Sequence, residues 1–467
     1  MNQMKVLEKI EALEIINTIG GVLLSGSERA YFRGVSIDSR TIEHGEVFFA
    51  IEGKNFDGHD FVNNAIEKGA KGVVISKPVG TVRDDVSVIL VDDTLKALQK
   101  LARFFRRGID CPVVAITGTA GKTTTKEITA EVLSVKFRVH KNVGNINNEY
   151  GVPLTLLSTP PYSTMLVMEV GINQVGEMKI ISDIVMPTTA IVTNIGPGHI
   201  GYFGSVERIA REKEQLFLRL PRDGYAILNA DDPYTCQFST FARKITYGID
   251  KDADIMPDDL EEVGVEGVRF RIEGVDFYLH LPGRHNLYNA LGAIACGCAY
   301  NIKISDMVEA VSSVKAVDSR MEIEQVGGII LVNDAYNANP LSMRSSISWF
   351  VRQPYERHIL VLGDMLELGE FGEEEHIRMG EYIAELHNAG MVDLLFTTGE
   401  LGRFISESAG RVSSKDDWIV NVDKGCLKDD LLKVLKKGDS ILFKASRVIA
   451  LDEVFRAILS DFNREER

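Results

Sequence analysis

The sequence lacks the features that mark a nucleic-acid-binding or membrane-spanning protein. Its 467 residues carry a net charge of −15, which argues against the broad cationic surface that binding to nucleic acid requires. No apolar run approaches the ~18 residues of a membrane span. The first residues contain no apolar core of a secretory signal peptide. We therefore expect a soluble protein with small-molecule substrates, no nucleic-acid partner and no transmembrane segment.

The sequence also lacks the cysteine pattern of a disulfide framework or a zinc site. Its five cysteines are an odd number, are scattered, and are never spaced as C-x-x-C. Cys296 and Cys298 lie in a run rich in alanine and glycine, where packing in a helix is a better interpretation than metal binding. Reduced thiols of this kind are typical of a cytoplasmic protein, and we expect that location.

The chain has enough length and apolar content for several folded units. Its 467 residues, 45% of them hydrophobic, correspond to about three domains at roughly 150 residues each. We place the limits at residues 1–108, 109–317 and 318–467. Apolar β-type runs alternate with helical patterns, which predicts an α/β fold with mostly parallel, helix-covered sheets. We expect a small N-terminal α/β domain, a central P-loop-type domain and a C-terminal Rossmann-like domain that lacks G-x-G-x-x-G.

Residues 117–127, TGTAGKTTTKE, follow the apolar run Val113–Ile116 and predict a strand, a phosphate-binding loop and a helix. Gly118 and Gly121 permit the tight backbone turn that brings amides against phosphate oxygens. Lys122 supplies a charge for the β- and γ-phosphates, and the Thr123 hydroxyl can ligate Mg²⁺. The loop is shorter than G-x-x-x-x-G-K-[ST], because Ile116 stands where the first glycine would fall. The pattern predicts a nucleoside triphosphate site unlike that of ordinary ATPases and GTPases.

Polar residues follow two further predicted strands of the middle domain. Glu169 ends the run 165–169, where a carboxylate is well placed to ligate the same Mg²⁺, although a solvated acid at a strand end would look alike. His199 lies in the loop NIGPGH after the predicted strand 190–193. It is a candidate metal or phosphate ligand, or a surface histidine.

For three other segments, the residues alone do not decide between a ligand-binding role and a purely structural one. Residues 141–153 are rich in asparagine, which suits either peptide and sugar recognition or a turn. The helix predicted at 206–218 reads as a solvated charged face, and nothing in its composition singles out Lys213. The asparagines after Gly283 and the segment DAYNANP at 334–340 can bind a ligand or only cap helices.

Taken together, these motifs resemble those of the Mur ligase superfamily over nearly the whole chain. The resemblance includes the short phosphate loop, NINNEYGVPLTLL at 145–157, the glutamate Glu169 and the loop that carries His199. It continues through SVERIAREK at 205–213, LPGRHNLYNALGA at 281–293, Arg320 and DAYNANP. DSR at 38–40 is similar to the N-terminal nucleotide-sugar domain shared with the branch that adds the third amino acid. VLGDMLELG at 361–369 is similar to the branch that adds a dipeptide.

The resemblance implies a role for each matching position. It implies ATP binding by Gly118, Thr119, Ala120, Gly121, Lys122, Thr123, Thr124, Asn286, Arg320 and Asp334, and metal binding by Thr123, Glu169, His199 and Lys213. It implies catalytic roles for Lys122, Glu169, His199 and a carbamylated Lys213. It implies binding of a UDP-muramyl peptide by Ser39, Arg40, Asn145, Asn147 and Asn148, and of a dipeptide by Asn337, Ser446 and Arg447.

The resemblance further implies ATP, UDP-N-acetylmuramoyl-tripeptide and D-alanyl-D-alanine as substrates, two Mg²⁺ ions, and a monomer. Two departures concern the backbone: Ser319 stands before Arg320 where the family often has glycine, and Ala445 replaces the glycine of a Lys-Gly-Ser-Arg motif. Alternatives are a Mur-type ligase that adds a single amino acid and a P-loop NTPase without ligase activity. His376 is interpreted as a dipeptide ligand or as a surface helix residue.

Overall fold

The computed structural model describes residues 9–53, 56–80, 82–144, 146–413 and 417–465. Within them the chain forms three α/β units in sequence order, each with its own main sheet. This confirms the predicted fold class. The domain limits at residues 108 and 317 stay a prediction. The helix Thr94–Gly108 ends at the first of these limits, and the next strand begins at Val113.

The N-terminal unit is a small five-stranded sheet of order β2-β7-β6-β5-β4, in which only β2 runs antiparallel to its neighbour. A separate two-stranded pair joins β1 to β3. The elements are β1 (Ile10–Glu11), α1 (Ala12–Ile19), β2 (Val22–Ser25), β3 (Tyr31–Phe32), β4 (Val35–Ser36), β5 (Val47–Phe49), α2 (Val62–Glu67), β6 (Gly72–Ile75), β7 (Ser87–Leu90) and α3 (Thr94–Gly108).

The middle unit has a six-stranded, wholly parallel sheet of order β13-β12-β11-β8-β10-β9. A three-stranded antiparallel sheet, β14-β15-β16, follows it in the chain. The elements are β8 (Val113–Thr117), α4 (Lys122–Ser134), β9 (Val139–Lys141), α5 (Gly151–Leu157), β10 (Met165–Glu169), α6 (Glu177–Val185), β11 (Thr189–Val192), α7 (Ile200–Phe203), α8 (Val206–Phe217), β12 (Tyr225–Asn229), β13 (Arg243–Tyr247), β14 (Asp259–Glu262), β15 (Val268–Ile272), β16 (Val275–Leu279), α9 (Arg284–Ala299) and α10 (Val308–Ser313).

The C-terminal unit is a six-stranded sheet of order β17-β18-β22-β19-β20-β21, in which only β17 is antiparallel. This is the Rossmann-like arrangement that the sequence predicts. The elements are β17 (Glu322–Val326), β18 (Ile329–Asn333), α11 (Pro340–Phe350), β19 (Arg357–Leu362), α12 (Gly372–Asn388), β20 (Leu394–Thr397), α13 (Gly402–Ser413), β21 (Ile419–Asn421), α14 (Lys424–Val434), β22 (Asp439–Lys444) and α15 (Leu451–Glu465).

The middle sheet is buried on both faces, as its continuous apolar strands indicate. Successive side chains of a strand point to opposite faces. Along β8, Val113 and Ala115 therefore join one hydrophobic cluster, and Val114 and Ile116 join the other. With both faces covered, the carboxyl ends of these strands are where a ligand can reach the sheet.

Candidate active site

One cavity of about 780 Å³ opens at the carboxyl ends of the middle-domain strands, and residues of the C-terminal domain line its other side. The phosphate loop, the ends of β10 to β12 and the start of α9 form one wall. The segment after β18, Glu367 after β19 and Lys444 at the end of β22 complete the cavity. Of the predicted site residues, those that line this cavity are Thr119, Ala120, Gly121, Lys122, Thr123, Thr124, Asn147, Asn148, Glu169, His199, Lys213, Asn286, Arg320, Asp334 and Asn337.

The loop between β8 and α4 has the geometry of an anion cradle. Gly118 and Gly121 have φ angles of 148° and 83°, which favour glycine. A Cβ atom on Gly118 would collide with Thr193, and one on Gly121 with Oδ1 of Asn289. Gly121 is the N-cap of α4. The first-turn amides of this helix have no intrahelical acceptor, so they are available to phosphate oxygens.

Asn194 fixes the shape of this loop from the neighbouring strand end, and the sequence analysis did not assign it a role. Its Oδ1 accepts a hydrogen bond from the amide of Ala120 (2.9 Å), and its Nδ2 donates to the Ala120 carbonyl (3.1 Å). Its own carbonyl accepts from the amide of Thr119 (2.9 Å). The loop is therefore held in its turn before any ligand binds.

Lys122 is folded back over the loop. Its Nζ donates to the carbonyls of Gly118 (3.1 Å) and Thr119 (3.2 Å). Burial lowers the pKa of Lys122 and Arg320 acts in the same direction, while the nearby carboxylates of Glu169 and Glu367 oppose the shift. The negative charge of a bound phosphate would stabilise the ammonium form of Lys122 and so offset its desolvation.

Glu169, at the end of β10, is 1% exposed, and its two carboxylate oxygens have different environments. Oε1 accepts a hydrogen bond from Nδ2 of Asn147 (2.6 Å). Oε2 is buried and has no hydrogen-bond partner among the described residues. An unsatisfied buried carboxylate oxygen is costly unless a cation or donor completes it. The buried Thr123 hydroxyl lines the same cavity, so these two residues fit part of a Mg²⁺ shell.

Lys213 is buried in α8, with 3% of its surface exposed. Burial lowers its pKa well below the ordinary value, and the charge of Lys122 lowers it further, while Glu212 opposes the shift. Glu212 is also buried, and its Oε1 accepts the amides of Gly176 (2.8 Å) and Met178 (3.1 Å) at the start of α6. The interpretation of this segment as a solvated face is therefore wrong for these two residues.

His199 follows β11 and precedes α7 in a left-handed conformation, with φ of 60°. Its side chain is 26% exposed, and Nδ1 lies 2.9 Å from Oε2 of Glu367 in the C-terminal domain. This is an ion-pair distance without the alignment of a hydrogen bond. The contact with His199 and the charge of Lys122 lower the pKa of Glu367. Glu367 was quoted in the sequence analysis only within a motif, and no local pattern indicated that it lies in this site.

The C-terminal wall is built around Asp334 at the end of β18. Its Oδ2 accepts from Nζ of Lys444 (2.5 Å) and from the hydroxyl of Ser346 (2.6 Å). Arg320 stacks on the ring of Tyr336, with its guanidinium carbon 4.0 Å from the ring centroid. Asp334 and Arg320 are thus held by partners in their own domain, and Arg320 keeps a buried Nε without a hydrogen-bond partner among the described residues.

Asn286 lies in the first turn of α9 and is buried against the loop. Its Nδ2 donates to the carbonyl of Pro282 (2.8 Å), and its Oδ1 accepts from Asn289 (3.2 Å). Asn289 in turn accepts from the Thr125 hydroxyl (3.1 Å). This chain of amides connects α9 to α4 behind the phosphate loop.

Comparisons with known proteins agree with this arrangement. Residues 31–106, 116–297 and 319–447 match, respectively, the Mur ligase family catalytic domain, the Mur ligase middle domain and the Mur ligase glutamate ligase domain. The UDP-N-acetylmuramoyl-tripeptide--D-alanyl-D-alanine ligase of Bacillus subtilis (strain 168) is 38% identical over 445 residues, which cover 92% of this chain and 94% of that protein. The chain belongs to the Mur ligase family.

Other relatives of this Mur ligase extend the comparison. The protein of the same name from Escherichia coli (strain K12) is 34% identical over 433 residues, 91% of this chain and 93% of that one. A crystal structure of MurF from Acinetobacter baumannii covers 97% of this chain and 99% of its own, with a TM-score of 0.87 at 26% identity. The MurF ligase of Thermotoga maritima, solved with ADP, covers 92% and 98%, with a TM-score of 0.79 at 27% identity.

Both departures from the family pattern are accommodated in this Mur ligase. Ser319 adopts a φ of 56°, so the serine takes up the left-handed conformation that glycine would adopt without strain. Ala445 is fully buried, and its side chain packs next to Gly363. Neither residue displaces Arg320 or Lys444 from the cavity.

Several predicted residues lie outside the cavity lining. Gly118 shapes the loop from behind, and Asn145 lies outside the described residues. Ser39 and Arg40 belong to the N-terminal unit, where Arg40 pairs with Asp38 through Nη2 (2.7 Å). Asn148, which does line the cavity, also holds the turn that leads into α5, since its Oδ1 accepts the amides at 150 (3.2 Å) and 151 (3.0 Å).

Two predicted dipeptide residues, Ser446 and Arg447, also lie outside the lining. Ser446 is 4% exposed, and its Oγ accepts from the amide of Leu366 (2.8 Å). Arg447 is exposed, and its Nη1 donates to the hydroxyl of Tyr336 (3.2 Å). Tyr336 therefore connects Arg447 to the cavity wall.

The interpretation of His376 as a surface helix residue is wrong, whereas a role in dipeptide binding stays a prediction. The side chain is fully buried in α12, with Nε2 accepting from the amide of Met365 (2.9 Å) and Nδ1 lying 2.6 Å from the carbonyl of Gly372. The histidine thus fixes the loop after β19 through the hydrogen bond from Met365. Its burial could not be read from the acidic residues that precede it in sequence.

The described part of the chain contains neither a metal-binding cluster of side chains nor a helix that could cross a membrane. The described ranges contain no group of three or more His, Cys, Asp and Glu side chains that could hold a metal ion by themselves. A Mg²⁺ ion at Glu169 and Thr123 would therefore depend on phosphate oxygens and water for its other ligands. Among the described helices we find none with the length and hydrophobicity that a bilayer crossing requires.

Proposed function

We propose that this Mur ligase joins D-alanyl-D-alanine to UDP-N-acetylmuramoyl-tripeptide at the expense of ATP, giving the UDP-linked pentapeptide, ADP and phosphate. The observation that carries the proposal is the 38% identity, over 94% of its length, to a relative that bears the name of this activity. The cavity supports it with a phosphate loop on one wall and cationic side chains on the other. ATP is the proposed nucleotide, in keeping with the ADP bound to the Thermotoga maritima neighbour.

The chemistry must bring a carboxylate up to a triphosphate. Two unit charges 4 Å apart repel by about 4 kcal/mol at an effective dielectric of about 20. Lys122, the first-turn amides of α4 and Arg320 would offset this repulsion and stabilise the transferring phosphoryl group. We propose Lys122, Glu169, His199 and Lys213 as the catalytic set.

The reaction would proceed in two balanced steps. A carboxylate oxygen of the tripeptide attacks the γ-phosphorus, the bond to the β-γ bridging oxygen breaks, and ADP leaves. The dipeptide amine then attacks the acyl carbon, the acyl–phosphate bond breaks, and phosphate leaves as the amine loses its proton. Water must be kept from the acyl phosphate. The two-domain cavity would do this when its C-terminal wall is in place.

We also propose that two Mg²⁺ ions bind in the cavity, since the cavity contains residues that suit Mg²⁺ ligands. Glu169 and Thr123 would hold one ion, and His199 with a carbamylated Lys213 would hold the other. Bound Mg²⁺ would supply charge neutralisation at the phosphates. The unsatisfied Oε2 of Glu169 supports the first site. The buried Lys213, for which the described residues supply no ion-pair partner, supports the second. Only the neutral amine of a lysine reacts with CO₂, and the lowered pKa of Lys213 increases that form.

Substrate positions are proposed from the family pattern. ATP would bind residues 118–124 with Asn286, Arg320 and Asp334. The UDP-muramyl peptide would extend from Ser39 and Arg40 of the N-terminal unit toward Asn147 and Asn148. The dipeptide would lie near Asn337, Ser446 and Arg447. We also propose the domain limits 1–108, 109–317 and 318–467, a cytoplasmic location and a monomer.

The test is phosphate release from ATP and Mg²⁺ with UDP-N-acetylmuramoyl-tripeptide and D-alanyl-D-alanine, with each component omitted in turn. We expect phosphate release only when ATP, Mg²⁺ and both substrates are present, together with a product of the mass of the UDP-muramyl-pentapeptide. Release that needs a single amino acid instead of the dipeptide would assign another branch of the family. Release without any amine would indicate an NTPase.

A further inference from the structure

The contact between His199 and Glu367 joins two domains at the mouth of the cavity. Nδ1 of the histidine and Oε2 of the glutamate lie 2.9 Å apart, and both residues line the cavity. Their backbones also meet, because the amide of Gly201 donates to the carbonyl of Glu367 (3.2 Å). Glu367 is thus attached both to the histidine and to the helix that follows it.

The backbone on both sides is shaped for this contact. His199 and Glu367 adopt left-handed conformations, with φ of 60° and 66°, which residues other than glycine adopt at a cost. Gly201 of α7 packs directly on Gly369, so a Cβ atom on Gly201 would lie 2.5 Å from the amide nitrogen of Gly369. Neither glycine could carry a side chain without separating the two segments.

We propose that Glu367 is a positioning residue that sets the tautomer and ring orientation of His199 from across the domain boundary. A ligating histidine commonly gives its second ring N–H to a carboxylate, which fixes the ring and makes the other nitrogen a better ligand. The 2.9 Å separation of Nδ1 and Oε2 is already within hydrogen-bond range, and a rotation of the ring would align the N–H with the carboxylate. Once Nδ1 donates to Glu367, the lone pair of Nε2 is the one presented to a cation. The role rests on the proposed function, in which His199 is a Mg²⁺ ligand.

The placement of Glu367 in the C-terminal domain gives this role a consequence for the catalytic cycle. The carboxylate reaches His199 only when the loop after β19 is docked on α7. The histidine is therefore oriented only in the closed arrangement of the two domains. Metal binding at His199 and closure of the cavity become coupled, so that a complete site forms only where water is excluded.

The experiment measures Mn²⁺ binding by electron paramagnetic resonance, in the presence of a non-hydrolysable ATP analogue, for the full chain and three variants. Glu367→Asn tolerates the left-handed backbone but is too short to reach the histidine. Glu367→Gln keeps an acceptor oxygen at the same distance. Glu370→Gln, an exposed glutamate on the same loop, is the matched control. Thermal unfolding midpoints confirm that each variant is folded.

We expect Glu367→Asn to weaken one Mn²⁺ site by roughly 10- to 100-fold, Glu367→Gln to retain most of the affinity, and Glu370→Gln to match the wild type. Wild-type Mn²⁺ affinity in Glu367→Asn would overturn the proposal. An equal loss in Glu367→Gln would also overturn it, because the effect would then come from charge and not from an oriented acceptor. If the expected pattern appears while the wild type makes no pentapeptide, the proposed function fails and the positioning role stands.

Discussion

Lys444→Met is the substitution whose cost to the C-terminal domain the structure defines best. Nζ of Lys444 donates to Oδ2 of Asp334 (2.5 Å), to its carbonyl (3.2 Å) and to the carbonyl of Asn337 (3.4 Å). The side chain of Lys444 is 2% exposed, and that of Asp334 is 13% exposed. Removing one partner of a buried ion pair costs about 3–5 kcal/mol. Asp334 keeps its hydrogen bond from Ser346, so we expect about 3 kcal/mol.

Tryptophan fluorescence in urea measures this cost selectively. The chain has two tryptophans, and both Trp349 and Trp418 are buried in the C-terminal domain. With a slope of about 1.5 kcal/mol/M, a loss of about 3 kcal/mol lowers the unfolding midpoint by about 2 M. The nucleotide need not be present, so the measurement is independent of catalysis.

Two comparisons decide whether the reasoning holds. Lys424→Met breaks an ion pair with Glu453 whose side chains are 36% and 69% exposed, so it should cost less than about 1 kcal/mol. The double variant Lys444→Met/Asp334→Asn leaves no unpaired charge and should recover part of the loss. A cost of Lys444→Met no greater than that of Lys424→Met would refute the role of the buried ion pair, and so would a double variant less stable than Lys444→Met.

Three further predictions concern the cavity. Lys122→Ala should abolish phosphate transfer while leaving the unfolding midpoint near the wild-type value, and wild-type turnover would contradict the loop assignment. Lys213→Ala should be nearly inactive and should recover partly with added small carboxylic acids; full activity without them would remove the carbamate. Burial lowers the pKa of His285, in the cavity wall, to about 4. As the pH is lowered, the unfolded chain therefore binds the proton first, and the stability of the fold should decrease from about pH 6.5 down to about pH 4. A His285→Gln variant should have a flatter profile of unfolding midpoint against pH, and identical profiles would contradict the burial argument.

The sequence predicted those parts of the fold and site that depend on local pattern. The strand β8, the loop at 118–121 and the helix α4 follow from an apolar run, two glycines and a helix start, and the structure places them as expected. Glu169 was located because it ends a continuous apolar strand. These features can be predicted because they depend only on residues that are close together in the sequence.

The hairpin of β15 and β16 was missed although a local signal existed. Val268–Ile272 alternates buried and exposed side chains, and a tight turn at Glu273 and Gly274 connects it to Val275–Leu279. The strands were predicted from continuous apolar runs, which are typical of parallel sheets. The period-two pattern of a half-exposed antiparallel sheet was therefore passed over.

Other features could not be predicted because they depend on contacts between distant segments. The burial of Lys213 reflects packing in the middle domain, and the surrounding charges in the sequence suggested the opposite. Glu367 reaches His199 across 168 positions of the chain, and Asn194 supports a loop 74 positions away. Only the family resemblance indicated Lys213, and it gave no indication for Glu367.

The most direct test of the central claim follows an oxygen atom. UDP-N-acetylmuramoyl-tripeptide labelled with ¹⁸O in the reacting carboxylate is incubated with ATP, Mg²⁺ and D-alanyl-D-alanine, and the released phosphate is analysed by mass spectrometry. Attack of the carboxylate on the γ-phosphorus, followed by displacement of phosphate by the amine, predicts one ¹⁸O atom in each phosphate and one retained in the new amide. Unlabelled phosphate, formed with or without the pentapeptide, would contradict the acyl-phosphate mechanism.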